Sequence, residues 1–465
     1  MARTRAIVIG GSMAGLCAAA ALRRSFDEVT LIERDAYPEG VGERAGVPQA
    51  RHVHALLTRG WIELDRLFPG FQARMRAAGV QELDSGLDFA SLRRTGWQGR
   101  LAIRQGLYLM TRNQTEAIVR GLLRETAVEV RERIEVTGLL GSRGGRARVT
   151  GVTARARDGG AQLQLSADLV VDASGRGSRA PAWLEALGVR APEESEVDSF
   201  AGYSSRWFRR PDASRWPAGW WWKGAWVDPD PPRQLMGGAL FPVEGDRWIC
   251  TLFGFSRQYP PTDDEGFSRA LRALRSPVIA EAVALGEPIS PVYATRSMSN
   301  RYRHYERMPD RVEGFTALGD SACVYNPIYG QGMTVSALCA RALEETVAQV
   351  GPSNPALGRA FSVAQAKVFA APWALAAGND LRFPATVGKR APIAAFLKVY
   401  TDALGDACLD DEEIHRRAME VFYMLKPAHG LFAPDLVARV VAGAVRRRLR
   451  ELAGGAVIPA MPPAS

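Results

Sequence analysis

Cysteine and histidine are both scarce in this chain of 465 residues, which contains five of each. The cysteines form no Cys-X-X-Cys pair and are odd in number, so the sequence predicts neither a disulfide framework nor a metal site. No apolar run reaches the roughly 18 residues that a membrane-spanning helix needs. The first residues lead directly into a strand pattern, without the apolar core of a signal peptide. These absences predict a cytoplasmic protein with no stable membrane insertion.

Positive charge is in modest excess, with a formal net charge of +9. The arginines are scattered among many acidic residues, and only residues 446–450 form a local basic run, which favours a solvated helix face. No motif of nucleic-acid-binding proteins accompanies this run, so we expect no nucleic-acid partner. Gly-X-Ser-X-Gly, His-Glu-X-X-His and P-loop motifs are absent as well, which leaves hydrolase and nucleoside triphosphatase functions without support.

A strand, a glycine turn and a helix open the chain. The turn follows the β-branched residues 6–9 and contains Gly10, Gly11, Ser12, Met13, Ala14 and Gly15. An Ala- and Leu-rich stretch then favours a helix, and a second strand leads to Glu33 and Arg34, about 20 residues after the glycines, as a dinucleotide site requires. The helix start can bind a pyrophosphate, and Glu33 can accept hydrogen bonds from a ribose. This segment alone separates FAD neither from NAD nor from an ordinary βαβ turn.

Two later glycine segments also follow apolar strands. Residues 169–178 place Asp172 and two glycines after the first of these strands. Residues 317–332 contain Gly319 and Asp320, and then Pro327, Gly330, Gly332 and Met333 lead into a helix predicted from Thr334. Each segment alone is a weak signal, since a plain turn also explains it. Their order and spacing indicate a shared site.

Together, the three segments resemble the FAD-binding framework of the single-component flavin monooxygenases, the class of aromatic hydroxylases and polyene epoxidases. The resemblance implies FAD as cofactor. It places Asp172 between the flavin site and the region where NAD(P)H acts, although Ala173 stands where glycine is more usual. It also implies that Asp320 hydrogen-bonds the ribityl chain of FAD, and that the helix after Gly332 faces the O2/N1 edge of the flavin.

Two arginines belong to further segments that are similar to this class. Residues 43–54 resemble the segment after the second strand in bacterial polyether-pathway epoxidases, where Arg44, or Arg51 as the alternative, would contact FAD. Arg112 matches a flavin-contacting arginine at a helix start, and a surface ion pair is its alternative role.

The same resemblance and the strand pattern predict an α/β protein with a discontinuous, Rossmann-type FAD-binding domain over residues 1–78, 100–190 and 295–350. Residues 79–99 and 191–294 are expected to form an antiparallel-sheet substrate domain. Ala- and Leu-rich segments that are interrupted by prolines predict a C-terminal helical cap over residues 351–465.

Aromatic residues mark a candidate substrate pocket. Six of the eleven tryptophans lie between residues 207 and 226. The aromatic residues that we expect in the pocket wall are Trp220, Trp222, Phe241 and Phe253. Domain core or a dimer surface is the alternative role for the tryptophans, and the sequence does not predict the oligomeric state.

Few acid or base groups are expected, because the cofactor would perform the oxygen chemistry. His52 and His54 lie near the predicted flavin edge, and Tyr325 and Tyr329 flank Pro327. Each is a candidate proton relay, and structural hydrogen bonding is the alternative role.

The resemblance implies a monooxygenase that epoxidises or hydroxylates a large hydrophobic small-molecule substrate with O₂, through a flavin C4a-hydroperoxide. NADPH or NADH would supply the electrons, directly or through a flavin reductase as partner. The alternatives are an O₂-independent flavin reductase, a non-redox FAD-containing cyclase or scaffold, and a flavin halogenase. The chain lacks the Trp-X-Trp-X-Ile-Pro motif of the halogenases.

Overall fold

The computed structural model describes residues 3–143, 146–160, 162–296, 298–390, 394–452 and 461–462. Its strands are, in chain order, β1 (Arg5–Ile9), β2 (Glu28–Ile32), β3 (Ala55–Leu57), β4 (Gln81–Asp84), β5 (Phe89–Arg93), β6 (Gly96–Trp97), β7 (Gly106–Leu109), β8 (Glu129–Arg131), β9 (Ile134–Gly141), β10 (Arg146–Ala156), β11 (Gln162–Ser166), β12 (Leu169–Asp172), β13 (Glu194–Asp198), β14 (Gly202–Arg209), β15 (Gly224–Val227), β16 (Met236–Val243), β17 (Arg247–Gly254), β18 (Glu287–Pro288), β19 (Tyr293–Thr295), β20 (Asn300–Arg303), β21 (Arg311–Glu313), β22 (Phe315–Ala317), β23 (Cys323–Val324) and β24 (Val387–Gly388). Its helices are α1 (Met13–Leu22), α2 (Thr58–Leu67), α3 (Phe71–Ala77), α4 (Arg112–Arg124), α5 (Ala180–Ala186), α6 (Asp264–Arg272), α7 (Val278–Leu285), α8 (Gly332–Val350), α9 (Leu357–Asp380), α10 (Ala394–Ala407), α11 (Glu412–Phe422) and α12 (Pro434–Leu452).

A parallel sheet with the strand order β22-β12-β1-β2-β8 forms the centre of the fold. Its strands are short and largely apolar, as expected for strands that are covered on both faces. Ile9 of β1 lies beside Ile32 of β2 and Asp172 of β12, and Asp172 lies beside Ala317 of β22. The carboxyl ends of β1, β12 and β22 therefore meet at one edge. The three glycine segments follow these strands, so the sheet brings them together.

Helices cover this sheet closely because their contact positions are small. Every residue of α1 is buried, and α1 packs against α8. On β22, a Cβ atom added to Gly358 of α9 would lie only 2.1 Å from the carbonyl oxygen of Phe315. Nε2 of Gln365 in α9 donates a hydrogen bond of 2.7 Å to the carbonyl oxygen of Ala317. The start of α9 is therefore attached directly to the parallel sheet.

A second, mostly antiparallel sheet has the order β18-β14-β17-β16-β15-β5-β6, with β19 also paired to β14. Its register places Tyr203 of β14 beside Phe253 of β17, and Trp226 of β15 beside Ala239 of β16 and Ser91 of β5. Because side chains alternate along each strand, neighbours in register share a face. One face of this sheet thus becomes a continuous wall.

Smaller units complete the molecule. They are the sheets β3-β7-β4, β23-β20-β13-β24 and β11-β10-β21, with β9 also paired to β10. Helices α10 to α12 share a small core around Leu404, Ile414 and Leu436. The prediction of an α/β protein with a Rossmann-type sheet, an antiparallel sheet and C-terminal helices is confirmed, while the domain boundaries stay a prediction. In the described ranges, no helix is both long enough and apolar enough to cross a membrane.

Candidate active site

A cavity of about 1080 Å³ extends from the glycine segments to the antiparallel sheet. The turn after β1, the segment after β12 and the segment after β22 line its first part, which we call the cradle. Side chains from β5, β14 to β17 and the C-terminal helices line its second part, which we call the chamber. The fold therefore joins two chemically different compartments in one space.

Close backbone approaches shape the cradle. Gly10 has a φ of +95°, and a Cβ atom at this position would lie 2.7 Å from the carbonyl oxygen of Ala173. A Cβ atom on Gly15 would lie 1.7 Å from the carbonyl oxygen of Gly10. The Ser12 side chain does not cap α1, so the first backbone N–H groups of the helix remain available to an anion.

Beside the glycine turn, Arg44 lies among three carboxylates. Its Nη1 atom is 3.2 Å from Oε2 of Glu33 and 3.4 Å from Oδ2 of Asp35, and its Nε donates to Oε1 of Glu116 at 2.9 Å. Glu33 Oε2 also accepts a hydrogen bond of 2.7 Å from the Gly11 backbone N–H. Arg44 thus holds the Glu33 carboxylate at the end of β2, which is the position that a ribose-binding acid needs.

Arg112 supplies a buried positive charge at the start of α4. Its Nη2 atom donates to Ser12 Oγ at 2.7 Å and lies 2.8 Å from Oε2 of Glu116. Burial raises the pKa of Glu116, but the charges of Arg112 and Arg44 outweigh burial and hold that pKa below its ordinary value. Nη1 of Arg112 is buried and has no hydrogen-bond partner among the described residues. A buried donor without a partner indicates a ligand oxygen at this position.

Asp320 is placed at the cradle by β22. Burial raises the pKa of its carboxyl group, and the nearby charges of Arg176 and Arg112 offset part of that rise. Gly319 has a φ of +62°, and a Cβ atom there would lie 3.0 Å from the Ala14 side chain. This close packing sets the distance between Asp320 and α1.

Most of the sequence-predicted cofactor residues meet in the cradle. Those that line the cavity are Gly10, Gly11, Ser12, Met13, Ala14, Glu33, Arg34, Arg44, Arg112, Asp320, Pro327, Gly330, Gly332 and Met333. Gly15 and Gly319 lie behind this surface. So does Asp172, whose carboxylate accepts a hydrogen bond of 3.0 Å from the Ser174 backbone N–H and a further one from the Ser178 hydroxyl. Asp172 therefore shapes the turn after β12 and does not line the cavity.

Aromatic side chains form much of the chamber wall. Its aromatic lining residues are Phe89, Tyr203, Trp226, Phe241, Phe253, Phe255, Phe383, Phe422 and Tyr423. Phe255 and Phe383 stack with ring centroids 3.7 Å apart, and Trp226 lies 5.1 Å from Phe253. Phe241 and Phe253 thus lie where the sequence predicted a substrate wall. Flat, rigid apolar walls of this kind suit a large apolar ligand.

Trp220 and Trp222 do not line the cavity. Their ring centroids are 4.2 Å apart, and Trp220 also packs on Trp216 and on Trp248 of β17. They precede β15, so the strand alternation that turns Trp226 toward the chamber does not apply to them. Their alternative role, as part of a domain core, is the one that their contacts favour.

The outer end of the chamber is ringed by paired charges. Arg93 lies 3.4 Å from Asp228, and Arg94 lies 3.7 Å from Asp406 and 4.0 Å from Asp402. All five side chains line the cavity. This end is therefore hydrophilic, and each of these two arginines lies within 4.0 Å of an aspartate.

His52 and His54 both line the cavity. His52 Nδ1 lies 2.8 Å from Ser205 Oγ, and His54 Nδ1 lies 3.0 Å from the carbonyl oxygen of His52. Burial, and secondarily the charge of Arg51, lowers the pKa of His52 to about 4. Burial and the charge of Arg112 lower the pKa of His54 to about 3. Both rings are therefore neutral at neutral pH.

The two candidate tyrosines differ in their partners. Tyr329 donates a hydrogen bond of 2.7 Å to Oδ1 of Asp380, the last residue of α9. Asp380 is fully buried and also accepts hydrogen bonds from Asn300 at 2.7 Å and from Asn326 at 3.1 Å. The Tyr325 hydroxyl is buried beside the Cys323 thiol and has no oxygen or nitrogen partner among the described residues. Tyr329 is thus held in a structural network, whereas Tyr325 is not.

Sequence reasoning missed several lining and supporting residues. Glu116 could have been found, because it lies four residues after Arg112 and thus on the same face of a helix. Trp226 could have been distinguished from the neighbouring tryptophans by the alternation within residues 224–227. No local signal marks Phe383 or Asp380, since each reaches the site from the far end of a long helix.

The profile of one protein family, described as the FAD binding domain, matches residues 3–352. The chain belongs to this family. The buried donor of Arg112, the glycine turn and the Glu33 carboxylate fit the diphosphate and ribose of its cofactor. The match confirms the resemblance to the flavin monooxygenase class that the sequence indicated, and with it an FAD-binding oxidoreductase.

Proteins that are similar to this one match it over most of the chain. Protein Rv3254 of Mycobacterium tuberculosis is 34% identical over 403 residues, which cover 82% of this chain and 81% of that protein. The flavin-dependent brominase Bmp2 is similar in structure with a TM-score of 0.67 and 15% identity, over 96% of this chain and 100% of that one. The p-nitrophenol 4-monooxygenase PnpA of Pseudomonas putida DLL-E4 has a TM-score of 0.63 and 17% identity, over 91% and 98% of the two chains. The last two likenesses show a shared fold.

Proposed function

We propose that this protein is an FAD-dependent monooxygenase that hydroxylates or epoxidises a large hydrophobic substrate, either a polycyclic aromatic or a polyene. The continuity of the cavity carries the proposal, because the space beside Asp320 opens directly into the aromatic chamber. A flavin in the cradle would therefore share one cavity with its substrate. The activity named for PnpA, which has the same fold, supports this reaction class.

The proposed reaction consumes NAD(P)H, a proton, O₂ and the substrate, and yields NAD(P)⁺, water and a product with one added oxygen atom. FAD, when bound, supplies the electron transfer to O₂. The protein contributes binding, orientation and exclusion of water. Arg112 and the uncapped start of α1 would hold the diphosphate, Glu33 the ribose and Asp320 the ribityl chain. Aromatic side chains such as Phe241 and Phe253 would orient the substrate.

A flavin halogenase is the second candidate, because the brominase Bmp2 shares the fold. Flavin halogenases of the tryptophan-motif type need an active lysine beside the substrate. Among the described residues that line the cavity, none is a lysine. This composition favours oxygen transfer to carbon over halogenation.

The decisive experiment starts with the absorption spectrum of the purified protein, followed by NADPH or NADH in air, with and without a polycyclic phenol or a polyene. We expect bound flavin, faster nicotinamide oxidation with substrate, and one labelled oxygen atom in the product when isotopically labelled O₂ is used. Turnover only with an added flavin reductase would indicate a two-component enzyme. Reduction without labelled product would favour an O₂-independent reductase, bound flavin that is never reduced would favour a scaffold, and no flavin after reconstitution would refute the proposal.

A further inference from the structure

Two histidines lie between the cradle and the chamber. His52 follows a helical turn at Pro48–Arg51, and His54 directly precedes β3. The ring of His52 packs edge-on against Tyr203 of the chamber wall, with centroids 5.7 Å apart. His54 is close enough to Arg112 of the cradle for that charge to affect its pKa. Both rings line the cavity where these two parts meet.

The hydrogen bond of His54 determines where its proton lies. Its Nδ1 atom is 3.0 Å from the carbonyl oxygen of His52, and a carbonyl oxygen can only accept. Nδ1 of His54 must therefore carry the hydrogen. In the neutral ring, Nε2 is then an acceptor.

His52 has the opposite arrangement. Its Nδ1 atom is 2.8 Å from Ser205 Oγ, which is 2.5 Å from Thr251 Oγ1, and both hydroxyl residues are fully buried. If Thr251 donates to Ser205 and Ser205 donates to Nδ1, both hydroxyl hydrogens are used. If Nδ1 carried the hydrogen, one of the two hydroxyl hydrogens, that of Ser205 or that of Thr251, would have no acceptor in the described part of the chain. A buried donor without an acceptor is costly, so Nδ1 accepts and Nε2 carries the proton.

We propose that His52 and His54 form a donor–acceptor pair of opposite tautomers, which selects substrates that carry an uncharged hydroxyl group, and that Ser205 and Thr251 are the positioning residues for His52. A hydroxyl group both accepts and donates a hydrogen bond. Its oxygen atom would accept from the Nε2–H group of His52, and its hydrogen atom would be donated to Nε2 of His54. That a hydroxylated substrate occupies this site rests on the proposed function, whereas the assignment of the two tautomers does not.

Neutral rings suit a neutral group. The pKa values of about 4 and about 3 leave both histidines uncharged at neutral pH. The pair therefore offers hydrogen bonds without the positive charge that a carboxylate or phenolate would need. Ser205 and Thr251 do not line the cavity, so they act on the substrate only through His52.

Nitrogen NMR of the flavin-loaded protein with ¹⁵N-labelled histidine tests the tautomers directly, because protonated and unprotonated ring nitrogens resonate far apart. We expect an unprotonated Nδ1 in His52 and a protonated Nδ1 in His54, with signals assigned through His52→Gln and His54→Gln. Ser205→Ala should shift only the His52 signals. Ser204→Ala is the matched control, since that buried hydroxyl lies on the other face of β14 and donates to the carbonyl oxygen of Pro260.

Ligand binding tests the selection. Hydroxypyrene and methoxypyrene have almost the same shape, but the ether cannot donate a hydrogen bond. In difference titrations of the flavin spectrum, we expect hydroxypyrene to bind about 3- to 10-fold more tightly, and His54→Phe, which removes the acceptor, to reduce that ratio toward one. Ser205→Ala should instead weaken the binding of both pyrenes, because both oxygen atoms accept from His52. Thr251→Ser should leave both affinities unchanged because it retains the hydroxyl group.

Two results would overturn the inference: identical tautomers in the two rings, or equal affinities for the two pyrenes in the unmodified protein. Either result can occur in a protein that binds flavin and oxygenates substrates normally. Failure of the histidine pair is therefore distinguishable from failure of the proposed function.

Discussion

Replacing Gly15 with alanine should abolish tight FAD binding while leaving every charged group of the cradle in place. In an open helix this change gains about 1 kcal/mol of helix propensity. Here the new Cβ atom would lie 1.7 Å from the carbonyl oxygen of Gly10, so the two atoms must separate by more than about 1 Å before they reach any tolerable contact. Overpacking of this kind typically costs about 1–3 kcal/mol, so the clash outweighs the gain.

The displacement would move the turn that carries the Gly10 and Gly11 backbone. We therefore expect the dissociation constant for FAD to rise at least about 30-fold, which corresponds to about 2 kcal/mol. Titration of flavin-free protein with FAD, followed by flavin fluorescence, measures this change. The outcome that would refute the reasoning is a Gly15→Ala protein with the affinity of the unmodified protein.

Gly121→Ala is the matched control, because Gly121 is also a helical glycine. It lies in α4, and the nearest atom to an added Cβ is Nη1 of Arg74 at 3.8 Å. This variant should gain up to about 1 kcal/mol in the free energy of unfolding and bind FAD normally. A comparable loss of affinity in both variants would show that helix stiffness, and not the clash with Gly10, is responsible.

Three further predictions follow from the site. Arg112→Ala should cost about 3–5 kcal/mol of stability, because it breaks a buried ion pair, and should abolish FAD binding. Thermal unfolding with and without FAD measures both effects, and Arg124→Ala, whose ion pair is exposed, is the control. Phe241→Ala should raise KM for a polycyclic substrate. Trp222→Ala should leave KM unchanged and cost about 3–5 kcal/mol of stability, measured by chemical denaturation. The reverse pattern would contradict the assignment of Phe241 to the chamber wall. The folded state lowers the pKa of His52 from 6.5 to about 4, so the unfolded chain binds a proton at a higher pH than the folded protein does. The free energy of unfolding should therefore fall by up to about 3 kcal/mol as the pH drops from 6.5 to about 4. Urea titrations at several pH values measure this fall, and His52→Gln should make it smaller.

The cradle could be predicted from the sequence because its chemistry is local. The residues from Gly10 to Gly15 stand next to one another in the chain, and Asp320 comes three residues after the end of β22. Parallel pairing then brings such segments to one sheet edge without further information. Asp172 is the exception in this set, since its carboxylate turns back to its own loop, and no spacing rule distinguishes that orientation from a cavity-facing one.

The chamber could not be predicted in the same way. Its wall depends on which strands pair and in what register, so Trp226 enters it while Trp222 joins the core behind it. Phe383 enters because it lies just beyond the end of the long helix α9 at Asp380. The tautomer that we propose for His52 depends on hydroxyl groups that are more than 150 positions away, as its pairing with Ser205 shows.

The long helix α9 has a consequence for how this fold can be divided. The family profile ends at residue 352, five residues before α9 begins at Leu357. Yet Gln365 holds the last carbonyl group of β22, and Asp380 holds the segment with Asn326 and Tyr329. A chain shortened to the recognised segment would lose both attachments and expose the edge of its central sheet. The part of the chain that matches the family profile is therefore not expected to fold by itself. Transferring it into another protein would require α9, which lies beyond residue 352.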